Sequence, residues 1–203
     1  MEIIFDIILL LVYISENIYE FFGVTFSFIY VIFSIRQNIL CWPTLIIASI
    51  FNMIAFNAIN LPLQMSMQFF FVATAIYGWS NWKKPNAKTE LLRVEKWKTS
   101  QNIQWITIGL LITLLLTFFI KLLPSQSAIY SRYPFFDSLM FVFNIIPMYM
   151  TGRKILQCWI YFIVIDIISG TFYYYTEEYF YCLLFFGYIP FAITGLIQWK
   201  KSI

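Results

Sequence analysis

GWSNWKK (residues 78–84) and GLIQWKK (residues 195–201) both run Gly, three residues, Trp, Lys, Lys, and they lie 117 positions apart. Moving the chain along itself by the same 117 positions, without a gap, brings Glu20 onto Asp137, Phe26 onto Phe143 and Arg36 onto Arg153. It also brings Cys41-Trp42 onto Cys158-Trp159, Ile46 and Ile50 onto Ile163 and Ile167, and Ala75-Ile76 onto Ala192-Ile193. In a chain that is 61% hydrophobic, coincident aliphatic residues carry little weight. Trp, Arg, Gly and Lys coinciding at one offset carry most of it. The reading is an internal repeat, residues 18–84 copied as residues 135–203.

The composition sets the solvent. A length of 203 residues suits one domain or two small ones. Only 11% of the residues are charged and the mean hydropathy is +0.77, against about 25% charged in an ordinary soluble domain. So few charges cannot cover a water-facing surface, and the class is polytopic membrane protein. A helix needs about 20 largely apolar residues to cross the hydrocarbon core. Seven such segments are expected, at 18–35, 39–58, 63–82, 103–123, 135–151, 155–175 and 179–199. The runs are long and continuously apolar, which fits helices and not the ten-residue alternation of a barrel. Residues 1–17 are too short an apolar run to span and begin with acidic Glu2 and Asp6, which argues against a signal peptide and for an interfacial helix.

Three spans, a single linker span and three more put both copies in the same orientation. The fold class is all-α integral membrane, a parallel 3+1+3 repeat. Residues 85–134 are the basic loop and linker helix between the copies. Transporters use such repeats, with the substrate site at the repeat interface near mid-membrane. Lys and Arg set the orientation. With the loop 83–98 in the cytoplasm, Arg36, Arg153, Lys154, Lys200 and Lys201 fall there too, and 11 of the 13 basic residues are inside. Lys121 and Arg132 are outside, with Glu2, Asp6, Glu16, Glu177 and Glu178. The N-terminus is read as periplasmic and the C-terminus as cytoplasmic. The basic loop serves as a topology anchor in contact with anionic lipid headgroups. Charges spread along membrane edges give no basis for nucleic-acid binding.

Polar residues within the spans are the candidate site. Asp166 lies mid-span, where an unpaired carboxylate costs several kcal/mol. Trp159 and Phe162, seven and four residues earlier, share its helix face. Rings beside an acid suit a flat organic cation that carries hydroxyls. The alternative is a structural Asp bonded to Ser169 or to a neighbouring helix. Gln64 and Gln68 lie one turn apart on a face that Phe71 extends; an amide there either grips ligand hydroxyls or bonds helix to helix. Asn52 and Asn144 either line the path or act as the same glue. Glu20 and Asp137 open the first helix of each copy, where the helix dipole stabilises an acid. Gly78 and Gly195 allow close helix approach, and Trp82 and Trp199 suit interfacial anchoring. The three cysteines are not at metal-ligand spacing and there is no histidine. No metal, cofactor or catalytic residue is expected.

Three stretches resemble the PnuC vitamin-precursor transporters: IYGWSNW (76–82) preceded by Gln68, FFDS (135–138) followed by Arg153-Lys154, and WIYFIVID (159–166). The last is similar to that family's Trp-x-x-Trp-x-x-x-Asn/Asp motif, with Phe162 in place of the second Trp and Asp166 at its end. The resemblance implies a seven-helix SWEET-like fold in a bacterial inner membrane, and a trimeric homo-oligomer. It implies uptake of nicotinamide riboside by facilitated diffusion, with alternating access and trapping by a cytoplasmic kinase. The implied site uses Trp159, Phe162, Asp166 and Gln68. Phe162 keeps stacking but loses the indole donor, so thiamine or a nucleoside stands as the alternative substrate. An integral-membrane enzyme or a membrane adaptor is the remote alternative.

Overall fold

The computed structural model describes residues 18–58, 62–83, 92–124, 126–127, 130–177 and 179–203. The expected interfacial helix at 1–17, together with Lys84 and Lys88 of the basic loop, lies outside the described residues. Among those described there are seven helices: α1 (Ile18–Ile35), α2 (Cys41–Ala58), α3 (Pro62–Lys83), α4 (Thr99–Leu122), α5 (Pro134–Gly152), α6 (Cys158–Tyr175) and α7 (Tyr179–Lys200). Each expected span contains one of them, with ends that differ by a few residues.

Among the described residues six helices are both long and apolar enough to cross a membrane; α3 is long enough but less apolar. Its 22 residues are ample in length, but Gln64, Ser66, Gln68 and Asn81 dilute the apolar run. α3 is the least apolar of the seven expected spans; it lies between α2 and α5, and Gln68 is buried.

The neighbours form a closed ring. α1 packs on α2, α2 on α3, α3 on α5, α5 on α6, α6 on α7, and α7 returns to α1. α4 packs on α5 alone among the described helices. It leaves Leu111, Leu114, Phe118 and Leu122 exposed, as expected for a helix whose outer face meets lipid.

The 117-residue shift reappears in the geometry. It carries the bounds of α2 onto those of α6, and the bounds of α3 onto those of α7. Gln37 (φ 54°) and Lys154 (φ 52°), also 117 apart, take the same left-handed backbone in the α1–α2 and α5–α6 turns. Trp42 meets Trp82 edge to face at 5.1 Å, and Trp159 meets Trp199 edge to face at 5.4 Å. The bonds from α3 to α5 and from α7 to α1 also correspond: Trp82 Nε1 donates to the Thr151 carbonyl at 3.2 Å, and Trp199 Nε1 to the Ser34 carbonyl at 3.0 Å. Trp82 and Trp199 are therefore not interfacial anchors as the sequence suggested. They are 4% and 0% exposed, and each indole N–H satisfies a carbonyl near the C-terminal end of another helix, α5 for Trp82 and α1 for Trp199.

That end of the bundle is tied together by further contacts. Lys154 Nζ donates to Gln37 Oε1 at 3.2 Å and lies 4.5 Å from the centre of the Trp82 ring, and Gln37 Nε2 donates to Ser202 Oγ at 2.8 Å. Burial holds the Lys154 amine below its ordinary pKa.

The second half of the basic loop is structured. Glu95 and Ile155 form a parallel bridge, with Glu95 N–H on the Lys154 carbonyl at 3.0 Å and Leu156 N–H on the Glu95 carbonyl at 2.8 Å. Gln157 accepts from Trp97 N–H at 3.1 Å and donates to the Trp97 carbonyl at 2.9 Å. Val94 and Trp97 are buried. Residues 92–98 are thus a strap seated on the α5–α6 turn. Gln157→Ala removes both of its bonds and is expected to cost about 1–2 kcal/mol, read as a lower thermal midpoint in detergent. An unchanged midpoint would show that the strap is held without it.

Candidate functional site: a cavity inside the helix ring

The ring encloses a cavity of about 210 Å³ to which every helix except α4 contributes. That is room for a small organic molecule, several times the roughly 30 Å³ share of one water. Six of the seven residues singled out from sequence line it: Trp159, Phe162, Asp166, Gln68, Asn52 and Asn144. Gln64 does not. It lies one turn before Gln68, near the start of α3, and the ring of lining residues closes below it with Met67. Its expected place in the site is corrected accordingly.

α6 supplies the charged and aromatic wall. Trp159, Phe162 and Asp166 fall on one face by their spacing of three and four residues. The Trp159 and Phe162 rings are 6.2 Å apart and inclined at 55°. Trp159 is fixed from behind: a Cβ on Gly195 would lie 2.5 Å from its indole, so only glycine at that position lets α7 come so close. Trp159 Nε1 is buried with no hydrogen-bond partner among the described residues.

Asp166 is 5% exposed. The alternative of a structural bond to Ser169 is not realised, since Ser169 Oγ is buried without a hydrogen-bond partner. No Lys or Arg lines the cavity among the described residues.

α1, α2 and α3 supply a neutral polar wall. Asn52 Nδ2 donates to Ser27 Oγ at 3.4 Å, and Ser27 Oγ donates to the Gly23 carbonyl at 2.8 Å. Asn144, on α5, donates to its own helix at the Met140 carbonyl, 2.7 Å away, so one of its two amide N–H donors is already engaged. Tyr30 O–H donates to Met148 Sδ at 3.3 Å and joins α1 to α5 beside the cavity.

Among the lining residues that went unnoticed in the sequence are Ser49, Phe185 and Tyr188. The repeat offset would have found all three, because 117 residues relate them to Asp166, Gln68 and Phe71. Asp137, expected at a helix start, is held there by a hydrogen bond from Ser131 Oγ.

Residues 17–201 match the family described as nicotinamide mononucleotide transporter. Within the chain, 147 residues are 26% identical to the nicotinamide riboside transporter PnuC of Escherichia coli (strain K12), covering 62% of this chain and 60% of that protein. The chain belongs to the PnuC family. The resemblance carried by the three stretches is borne out. The PnuC of Shigella flexneri matches to the same extent, again 26% over 147 residues. The aligned region thus spans about 60% of the length of these curated relatives. Among solved structures, the crystal structure of the vitamin B3 transporter PnuC superimposes with a TM-score of 0.75 at 15% identity, covering 96% of this chain and 85% of that one. At that identity the likeness establishes the PnuC fold. The chain is a multi-pass membrane protein of that fold.

Proposed function

We propose that this protein carries nicotinamide riboside across a bacterial inner membrane by facilitated diffusion. The observation that carries the reading is Asp166, buried beside Trp159 and Phe162 in a cavity without a lining Lys or Arg. The riboside is a flat ring cation joined to a neutral sugar. The rings stack on its heterocycle, the carboxylate balances its charge, and the neutral polar wall faces the sugar. A phosphorylated form would bring anionic oxygens into a cavity whose one charged wall is a carboxylate, so the mononucleotide is rejected. Trapping by phosphorylation after entry is consistent with that preference.

The working parts are read as two triplets, α1–α3 and α5–α7, related as a parallel 3+1+3 SWEET-like repeat with α4 as linker. Matched helix bounds and matched tryptophan contacts support this. The domains follow as residues 18–84 and 135–203, with 85–134 between them. Alternating access is rocking of one triplet against the other. The Trp82–Thr151 and Trp199–Ser34 bonds cross between triplets, and they part when that end opens. This end carries Arg36, Arg153, Lys200 and Lys201 and is assigned to the cytoplasm. Copies in a homotrimer would meet on the exposed face of α4. Among the described lining residues Asp166 is the only carboxylate, which favours simple facilitation over coupling through a pair of acids.

Calorimetric titration of the purified protein in detergent tests the substrate. Nicotinamide riboside is expected to bind, and nicotinamide mononucleotide to bind at least a hundredfold more weakly, the penalty of an unpaired anion in a buried site. Tight binding of thiamine instead would keep the fold and reassign the substrate. Equal binding of riboside and mononucleotide would overturn the charge argument.

A further inference from the structure

Ser49 stands on α2 where the 117-residue shift from Asp166 on α6 lands. It lines the same cavity, it is 0% exposed, and its Oγ has no hydrogen-bond partner among the described residues. A buried hydroxyl left unpaired forfeits the hydrogen bonds it would make in water. A serine in a helix has an inexpensive remedy in the carbonyl four residues back. Ser27 and Thr151 of this protein take it, at 2.8 Å each. Ser49 does not, so its proton and lone pairs are left for whatever fills the cavity.

A hydroxyl that both donates and accepts matches another hydroxyl. It gains little from a ring face and nothing specific from a quaternary nitrogen. Asn52, three residues on and on the same wall, extends the same neutral polar surface. We infer that Ser49 is a specificity-determining residue that binds one hydroxyl of the substrate's sugar, while Asp166 and the α6 rings take the heterocyclic cation. Positions related by the repeat thus read the two ends of one ligand, each with the chemistry that end needs. This inference rests on the riboside reading above and adds the residue that selects for the sugar.

The test uses the purified full-length protein, wild type and Ser49→Ala, titrated with nicotinamide riboside and with its 2′-, 3′- and 5′-deoxy analogues. Ser49→Ala is expected to weaken riboside binding about tenfold, the loss of one buried hydrogen bond. One deoxy analogue should bind the wild type about tenfold more weakly than the riboside and lose nothing further on Ser49→Ala. The other two should keep the full tenfold loss, which makes the pair a double-mutant cycle. If Ser49→Ala is poorly folded by its thermal midpoint, Ser49→Cys, nearly equal in size and a weaker donor, should give the same ordering of analogues. Unchanged riboside binding by the variant, or the same loss with all four ligands, would overturn the inference and leave the riboside reading standing. A wild type that does not bind the riboside would overturn that reading first, and this one with it.

Discussion

Asp166→Ala is expected to weaken binding of the ring cation about a hundredfold while leaving the protein at least as thermostable as wild type. The two halves of that expectation have one cause. Asp166 is 5% exposed in the middle of α6, no Lys or Arg is among the described residues that line the cavity, and Ser169 Oγ, three residues on, bonds to nothing among the described residues. An intramembrane carboxylate in that position costs several kcal/mol, and the empty protein carries that cost. A cationic ligand relieves it. Truncating one member of a buried charge pair typically costs about 2–5 kcal/mol of binding, and a hundredfold lies at the lower end of that range. Asp166→Asn separates charge from hydrogen bonding. It should weaken the cationic riboside strongly and leave the uncharged dihydro form of the same riboside nearly unaffected. Calorimetry and a melting curve in the same detergent measure both effects. A variant that binds the cation like wild type, or that melts well below it, would return Asp166 to a structural role.

How much of this was legible in the sequence depends on the range of the interaction that matters. Hydrophobic runs are local, so the helices came through with ends displaced by a few residues. The repeat offset is long-range but written in rare residues. Trp, Gly and Arg coincidences survived because a hydrophobic chain rarely places them by chance. Asp166 was visible because a charge inside an apolar run is conspicuous by itself. Ser49 was not, because a serine between Ala48 and Ile50 has no local signature; its burial and unpaired Oγ exist only once six helices close around it. Trp82 and Trp199 misled for a related reason. Next to Lys-Lys at a span end, Trp suits the interface, and nothing in the local sequence shows that its N–H reaches a carbonyl of the other triplet. The strap at 92–98 was likewise read only for its charge, since its bonds to Lys154, Leu156 and Gln157 join residues about 60 positions apart. α3 erred in the opposite direction: its length suggested an apolar span, and its Gln68 is part of the cavity wall.

Gly195→Ala is expected to disable the site through Trp159, and its counterpart Gly78→Ala supplies the control. An added Cβ at Gly195 would lie 2.5 Å from the Trp159 indole, and one at Gly78 would lie 2.3 Å from that of Trp42. No real contact is that short, and a fused ring cannot bend out of the way. In each case the indole or the helix must move, at a cost of about 1–3 kcal/mol. Both variants should therefore show a similar drop of several degrees in thermal midpoint. Their effects on binding should differ. Trp159 lines the cavity and Trp42 does not, so displacing Trp159 moves the ring on which the ligand stacks. Misplacing one stacking partner removes about 0.5–2 kcal/mol. Riboside affinity should fall about tenfold or more in Gly195→Ala and change little in Gly78→Ala. Adding Trp159→Phe to Gly195→Ala should recover the midpoint by making room, without recovering full affinity. Equal binding losses in the two glycine variants would mean that the cavity senses both tryptophans alike, and the assignment of the stacking wall to α6 alone would fail.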